Sequence, residues 1–201
     1  MNETGSVKFR CEQLPVKISR FAGFDELNKY RRKLIDLGMI GVDGNGIGFG
    51  NISVRDGATT RFYVTGSATG GIDELTPADC AKVVAYDFDG NWLRSEGSTI
   101  ASSESLTHAA VYESDPMAGA VIHCHDLKLW AVFLDKAPTT PKGVEYGTPE
   151  MARAVQHLFE STDVKMKKIF VMAAHDGGLM TFGENLREAF GILTRNLELR
   201  I

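Results

Sequence analysis

The chain has 201 residues, 43% hydrophobic and 24% charged, the make-up of a water-soluble globular protein with one sizeable core. A net charge of -4 and a pI of about 5.7 give no electrostatic footprint for nucleic acid or an anionic membrane. Three widely spaced cysteines without a C-x-x-C pair, no apolar run of membrane-spanning length and no hydrophobic segment behind MNETGSVKFR point to a reducing, cytoplasmic setting.

Residues 1–23 lack a period and read as an N-terminal arm, with Val16 and Ile18 as candidates for an edge strand. Residues 24–201 read as one domain. Its first helix keeps Leu27, Tyr30, Leu34 and Leu37 on one face and stops at Gly38, while Arg31-Arg32-Lys33 reads as a solvated face. Glycines at 41, 44, 46, 48 and 50 follow. They satisfy neither G-x-G-x-x-G nor a P-loop, so a nucleotide fold is disfavoured, but they let backbone amides approach an anion. Asn51 to Arg55 and Arg61 to Thr65 read as strands around an Asp56-Gly57 turn. A second glycine- and hydroxyl-rich loop, GSATGGIDELT, leads into Thr76-Pro77, a helix cap with proline behind it. Lys82–Phe88 and Asn91–Arg94 form a hairpin over Asp89-Gly90.

The stretch from Ala101 to Asp126 organises the rest. Ser102 and Ser103 suit a helix N-cap, Glu104 falls in the first turn, and the helix stops near Ser114 because Asp115 precedes a proline. Ala118 to His125 then reads as a buried strand. Residues two apart point to the same side, so His123 and His125 share a face with Cα atoms roughly 6 to 7 Å apart, a suitable bite for one zinc ion. Further on, Leu127–Leu134 reads as helical with Trp130 and Phe133 in the core, and Thr148-Pro149 opens a helix with His157 on its outer side. Ile169–Ala174 and Leu179–Phe182 are strands joined by His175-Asp176-Gly177-Gly178, and Asn185–Leu199 is the last helix. His175 thus sits at a strand end, as His125 does. Strands paired by short turns and interspersed with helices predict a mainly antiparallel sheet covered by helices.

Three features in this order resemble the class II aldolase/adducin family: Gly50-Asn51-Ile52-Ser53-Val54-Arg55, Ser102-Ser103-Glu104 with His108 and Tyr112 behind it, and His123-Cys124-His125. Tyr146-Gly147-Thr148-Pro149-Glu150 and the His175 turn extend the likeness to about residues 24–199. The resemblance implies a three-layer α/β/α fold around a mixed, mainly antiparallel sheet, assembled as a homotetramer with sites between subunits. It implies one Zn2+ per chain on His123, His125 and His175, Glu104 as acid/base, and a substrate phosphate held by Asn51, Thr69, Gly70, Ser102 and Ser103. The implied activity is that of a metal-dependent lyase of the aldolase type on a small sugar phosphate. Two alternatives stay open: a dehydratase like the family's methylthioribulose-phosphate dehydratases, and a non-catalytic scaffold like its cytoskeletal branch. The epimerase branch carries aspartate where this chain has Glu104. Three departures stand out: Asp176 intervenes between His175 and the glycines, the 50-residue span from His125 to His175 is shorter than in the family's aldolases, and the chain ends right after its last helix. The missing span includes a tyrosine that those enzymes borrow from a neighbouring subunit.

Overall fold

A computed structural model describes residues 7–134 and 136–197. Its main sheet has eight strands: β1 (Arg10–Leu14), β4 (Asn51–Arg55), β5 (Phe62–Thr65), β6 (Cys80–Asp87), β7 (Trp92–Glu96), β8 (Ala120–His125), β9 (Ile169–Val171) and β10 (Gly178–Gly183). Two-residue strands β2 (Gly41–Val42) and β3 (Gly48–Phe49) form a separate ribbon. The order across the main sheet is β1-β7-β6-β5-β4-β8-β10-β9. Every neighbouring pair is antiparallel except β1 with β7, so the sheet is mixed and mainly antiparallel.

Helices cover both faces. On one side lie α1 (Phe24–Asp36), α3 (Leu127–Phe133) and α6 (Leu186–Thr194), whose Leu27, Leu34, Leu129 and Leu193 pack on Ile52, Ile122 and Leu179. On the other lie α2 (Ser105–Ser114) and α4 (Pro149–Ser161), whose Leu106, Ala110, Met151 and Val155 meet Phe62, Val64, Val121 and Phe182. Strand β8 serves both cores by simple alternation. Ala120, Ile122 and Cys124 face one helix layer and Val121 the other, which puts His123 and His125 on the α2 side. This is the three-layer α/β/α architecture expected above. A short helix, α5 (Val164–Lys167), was not foreseen. Among the described residues no helix is long and apolar enough to cross a membrane.

Local chemistry explains most boundaries. Thr148 Oγ1 accepts from Met151 N–H and Pro149 follows, so α4 begins where its cap does. The side chains of Asp126 and Asn185 cap α3 and α6 in the same way. Helix α2 ends at Ser114 with Asp115 extended before Pro116.

Other expectations need correction. The arm is part of the sheet: Arg10–Leu14 adds a parallel edge strand, while Val16 is 45% exposed and Ile18 buried without joining a strand. Residues 1–6 lie outside the described region. Thr76-Pro77 opens only one 3-10 turn, closed by Asp79 accepting from both the Thr76 amide and its hydroxyl. Helix α2 starts at Ser105, after the serines rather than on them; Glu104 N–H donates weakly to Ser102 Oγ at 3.4 Å. Trp130 and Phe133 are only partly buried. The described part of the last helix ends at Thr194, and Glu198–Ile201 lie outside the described residues. Arg31, read as solvated, is 2% exposed.

Candidate active site

Strand pairing assembles the site. Asn51 on β4 lies directly across from His123 on β8, and His125 lies across from Gly178, the first residue of β10. The turn between β9 and β10 brings His175 to the same place. Gly178 N–H donates to the His175 carbonyl at 2.7 Å, and a side chain at Gly178 would meet the His175 ring at 2.7 Å, so only glycine fits there. The three imidazoles form one cluster, with ring centroids 4.5 to 5.3 Å apart and a ligand atom from each within 4.8 Å of the others. Asp176 after His175 does not displace it from the group.

The cluster has the chemistry of a metal site. His123 Nδ1 lies 3.2 Å from the Leu179 carbonyl, an arrangement that places its proton on Nδ1 and leaves the Nε2 lone pair for a ligand. The Nε2 atoms of His123 and His125 are 3.1 Å apart. Two nitrogens on a tetrahedral zinc with bonds of about 2.0–2.1 Å would be separated by about 3.3 Å, so the spacing fits one shared ion. Burial keeps the rings neutral. It pushes His125 down to about 4 and His175 down to about 3, and holds His123 well below the usual range, helped by His125 and His175 themselves.

Glu104, the residue before α2, is 2% exposed. Burial raises its carboxyl to about 7; a hydrogen bond from Thr107 and the charge of Lys8 oppose that rise. Thr107 Oγ1 donates to Oε2 at 2.8 Å, whereas Oε1 is buried with no partner among the described residues. Asn51 Oδ1 is likewise buried and unpartnered among the described residues. A buried acceptor left open costs about 1–3 kcal/mol, so two of them in one site point to a ligand that completes them. Behind the site, Ser53 Oγ lies 2.7 Å from both His108 Nδ1 and Tyr112 Oη, fixing α2 against β4. Arg55 locks the end of the same helix by donating to the Tyr112, Asp115 and Ala118 carbonyls.

Asn51, Thr69, Gly70, Ser102, Ser103, Glu104, His123, His125 and His175 all border one open cavity of about 1060 Å3. Phe49, Ile47 and Leu127 give it an apolar side, with the Phe49 ring 5.5 Å from that of His125.

A family model described as the class II aldolase and adducin N-terminal domain matches residues 43–195. The chain belongs to the class II aldolase/adducin family. An L-fuculose phosphate aldolase of Methanococcus maripaludis is 24% identical over 156 residues, 70% of this chain and 76% of that protein. Among solved structures, an L-fuculose 1-phosphate aldolase superposes with a TM-score of 0.66 at 23% identity, covering 91% of this chain and 85% of its own. YgbL of Klebsiella pneumoniae, titled a putative aldolase/epimerase/decarboxylase, gives 0.65 at 19% identity, covering 88% and 86%. At these identities the structural likenesses establish the shared fold.

Two contributors escaped the sequence reading. Tyr146 borders the cavity with its ring 4.3 Å from that of His175, and Lys8 Nζ stands 4.0 Å over the centroid of the Tyr146 ring, paired with Glu145 at 3.0 Å. Tyr146 lay inside a motif that was quoted only for its likeness. Lys8 lay in the patternless arm, and only the β1–β7 pairing brings it here. His157, expected at the surface, is exposed.

Proposed function

We propose that this protein is a zinc-dependent lyase of the aldolase type, acting on a small phosphorylated, sugar-like substrate through an enediolate. The observation that carries the reading is the convergence of three neutral imidazoles and a buried glutamate with an open oxygen on one cavity. His123, His125 and His175 would hold the ion, and three neutral ligands match catalytic rather than closed structural zinc sites. When bound, the metal supplies a Lewis acid that polarises the substrate carbonyl. Glu104 does the proton work: a carboxyl poised near neutrality can take a proton beside that carbonyl and return it. The side chains of Asn51, Thr69, Ser102 and Ser103, with the backbone at Gly70, would bind the phosphate, and the Phe49 side would take the less polar end. The likeness to fuculose phosphate aldolases supports a phosphorylated sugar.

The test is isotope exchange. Zinc-loaded protein incubated with dihydroxyacetone phosphate in deuterated water should place solvent deuterium on the carbon next to the carbonyl, read by proton NMR. No exchange would sink the reading. A dehydratase shares this kind of proton abstraction, so a longer ketose phosphate separates the two: release of water would decide for a dehydratase, carbon–carbon cleavage for an aldolase. A scaffold role is opposed by the retained histidines and Glu104.

The proposal includes a homotetramer, with the exposed Leu127 beside the cavity as a candidate contact residue. Sedimentation should therefore give about four times the chain mass of 22.0 kDa. A monomer at micromolar concentration would remove any shared site.

A further inference from the structure

The loop from Gly66 to Leu75 is held from behind by α1. Asn28 donates to the Leu75 carbonyl at 2.8 Å and accepts from the Leu75 amide at 3.1 Å. One turn on, Arg31 reaches the carbonyls of Thr69 at 2.6 Å, Gly70 at 3.3 Å and Asp73 at 3.4 Å. Arg31 is among the largest fully buried side chains, and none of its hydrogen bonds goes to a carboxylate. A guanidinium buried against backbone carbonyls carries a desolvation cost, which points to a role in setting the shape of the loop. The opposite side of the loop is closed too: any side chain at Gly70 would collide with the Gly41 carbonyl, so the loop is pressed between α1 and the β2–β3 ribbon.

This packing fixes the direction of a donor. Among the described residues there is no cis peptide, and in a trans peptide the N–H points opposite to the C=O. With the Thr69 carbonyl accepting from Arg31 and, across the turn, from Ile72 N–H at 3.0 Å, the Gly70 N–H is turned away from α1. That amide has no hydrogen-bond partner among the described residues, and Gly70 borders the cavity. A charged donor on the carbonyl also polarises the peptide and strengthens its N–H as a donor.

We propose that Arg31 is a positioning residue for anion recognition: it shapes the 66–75 loop so that Gly70 N–H and Thr69 meet a phosphate. This rests on the phosphate role given to that loop above. Arg31→Lys keeps the charge but loses the planar fork that reaches several carbonyls at once. In zinc-loaded Arg31→Lys, KM for dihydroxyacetone phosphate in the exchange reaction should rise about tenfold or more with kcat within twofold. Exchange into unphosphorylated dihydroxyacetone should keep its wild-type kcat/KM. Equal loss with both ketones, or no change with either, would overturn the proposal. A second measurement does not need the variant to fold. Titrating wild-type protein with inorganic phosphate should move the Gly70 amide resonance in a nitrogen–proton correlation spectrum. A Gly70 signal that stays still while that of Ser103 moves would overturn it. If wild type exchanges unphosphorylated dihydroxyacetone but binds no phosphate, the loop assignment fails and the metal-lyase reading survives. If it exchanges neither ketone, the function fails first.

Discussion

Glu104→Gln is expected to keep zinc and fold while lowering deuterium exchange into dihydroxyacetone phosphate by roughly 10²–10⁴-fold, the usual contribution of a positioned proton-transfer group. The substitution preserves size, and the amide oxygen can still accept from Thr107. What it removes is the ability to take a proton. A stability measurement tests the same burial without any substrate. The folded-state carboxyl is raised from 4.5 to about 7, so folded Glu104 keeps its proton in a range where the unfolded chain has lost it. Stability from this group is therefore fully present below about pH 4.5 and is lost as pH rises to 7, by roughly 3 kcal/mol in all. Urea titrations of metal-free protein at pH 5 and pH 8 should show Glu104→Gln gaining on wild type at the higher pH. A constant difference would mean that the carboxyl is not held protonated by burial, and unchanged exchange in the variant would refute its role as base.

How far the sequence reached can be judged element by element. The β8 histidines were legible because strand alternation alone decides which side chains share a face. Helix α4 was legible because its cap and proline act within one turn. Helix α2 was harder: Ser105 through Tyr112 are all buried between the sheet and α4, so no polar face marks its start, and the serines that looked like caps form the preceding turn instead. Strand β1 was invisible because an edge strand running parallel to β7 needs a long-range partner and carries no hairpin signal of its own. Arg31 shows the limit most plainly. In the sequence it opens the basic run Arg31-Arg32-Lys33 on a helix, and only the fold places carbonyls of a distant loop around it. The histidine cluster drew on both kinds of information. Two of its members are fixed locally, whereas the third depends on a turn whose outcome follows from the β8–β10 register.

Replacing His125 or His175 by alanine should lower zinc affinity on the order of 10²–10³-fold, as expected if several donors share an apparent binding free energy of about 10–16 kcal/mol. The reasoning is geometric. All three imidazoles converge within 4.8 Å, and the Leu179 carbonyl orients His123 from behind, so each removal takes away a donor that nothing else is placed to replace in full. Both rings are partly exposed, so truncation should cost less fold stability than it would at His123, which is 1% exposed. Elemental analysis after equilibrium dialysis at a fixed free-zinc level gives the readout, with circular dichroism as the fold control. Folded variants that both retain full zinc would eliminate the site and, with it, the lyase reading. Retention in His175→Ala alone would shift the third-donor role to Asp176, which borders the same cavity one residue on. Loss in both, with secondary structure unchanged, is the result that three neutral histidines at one open site require.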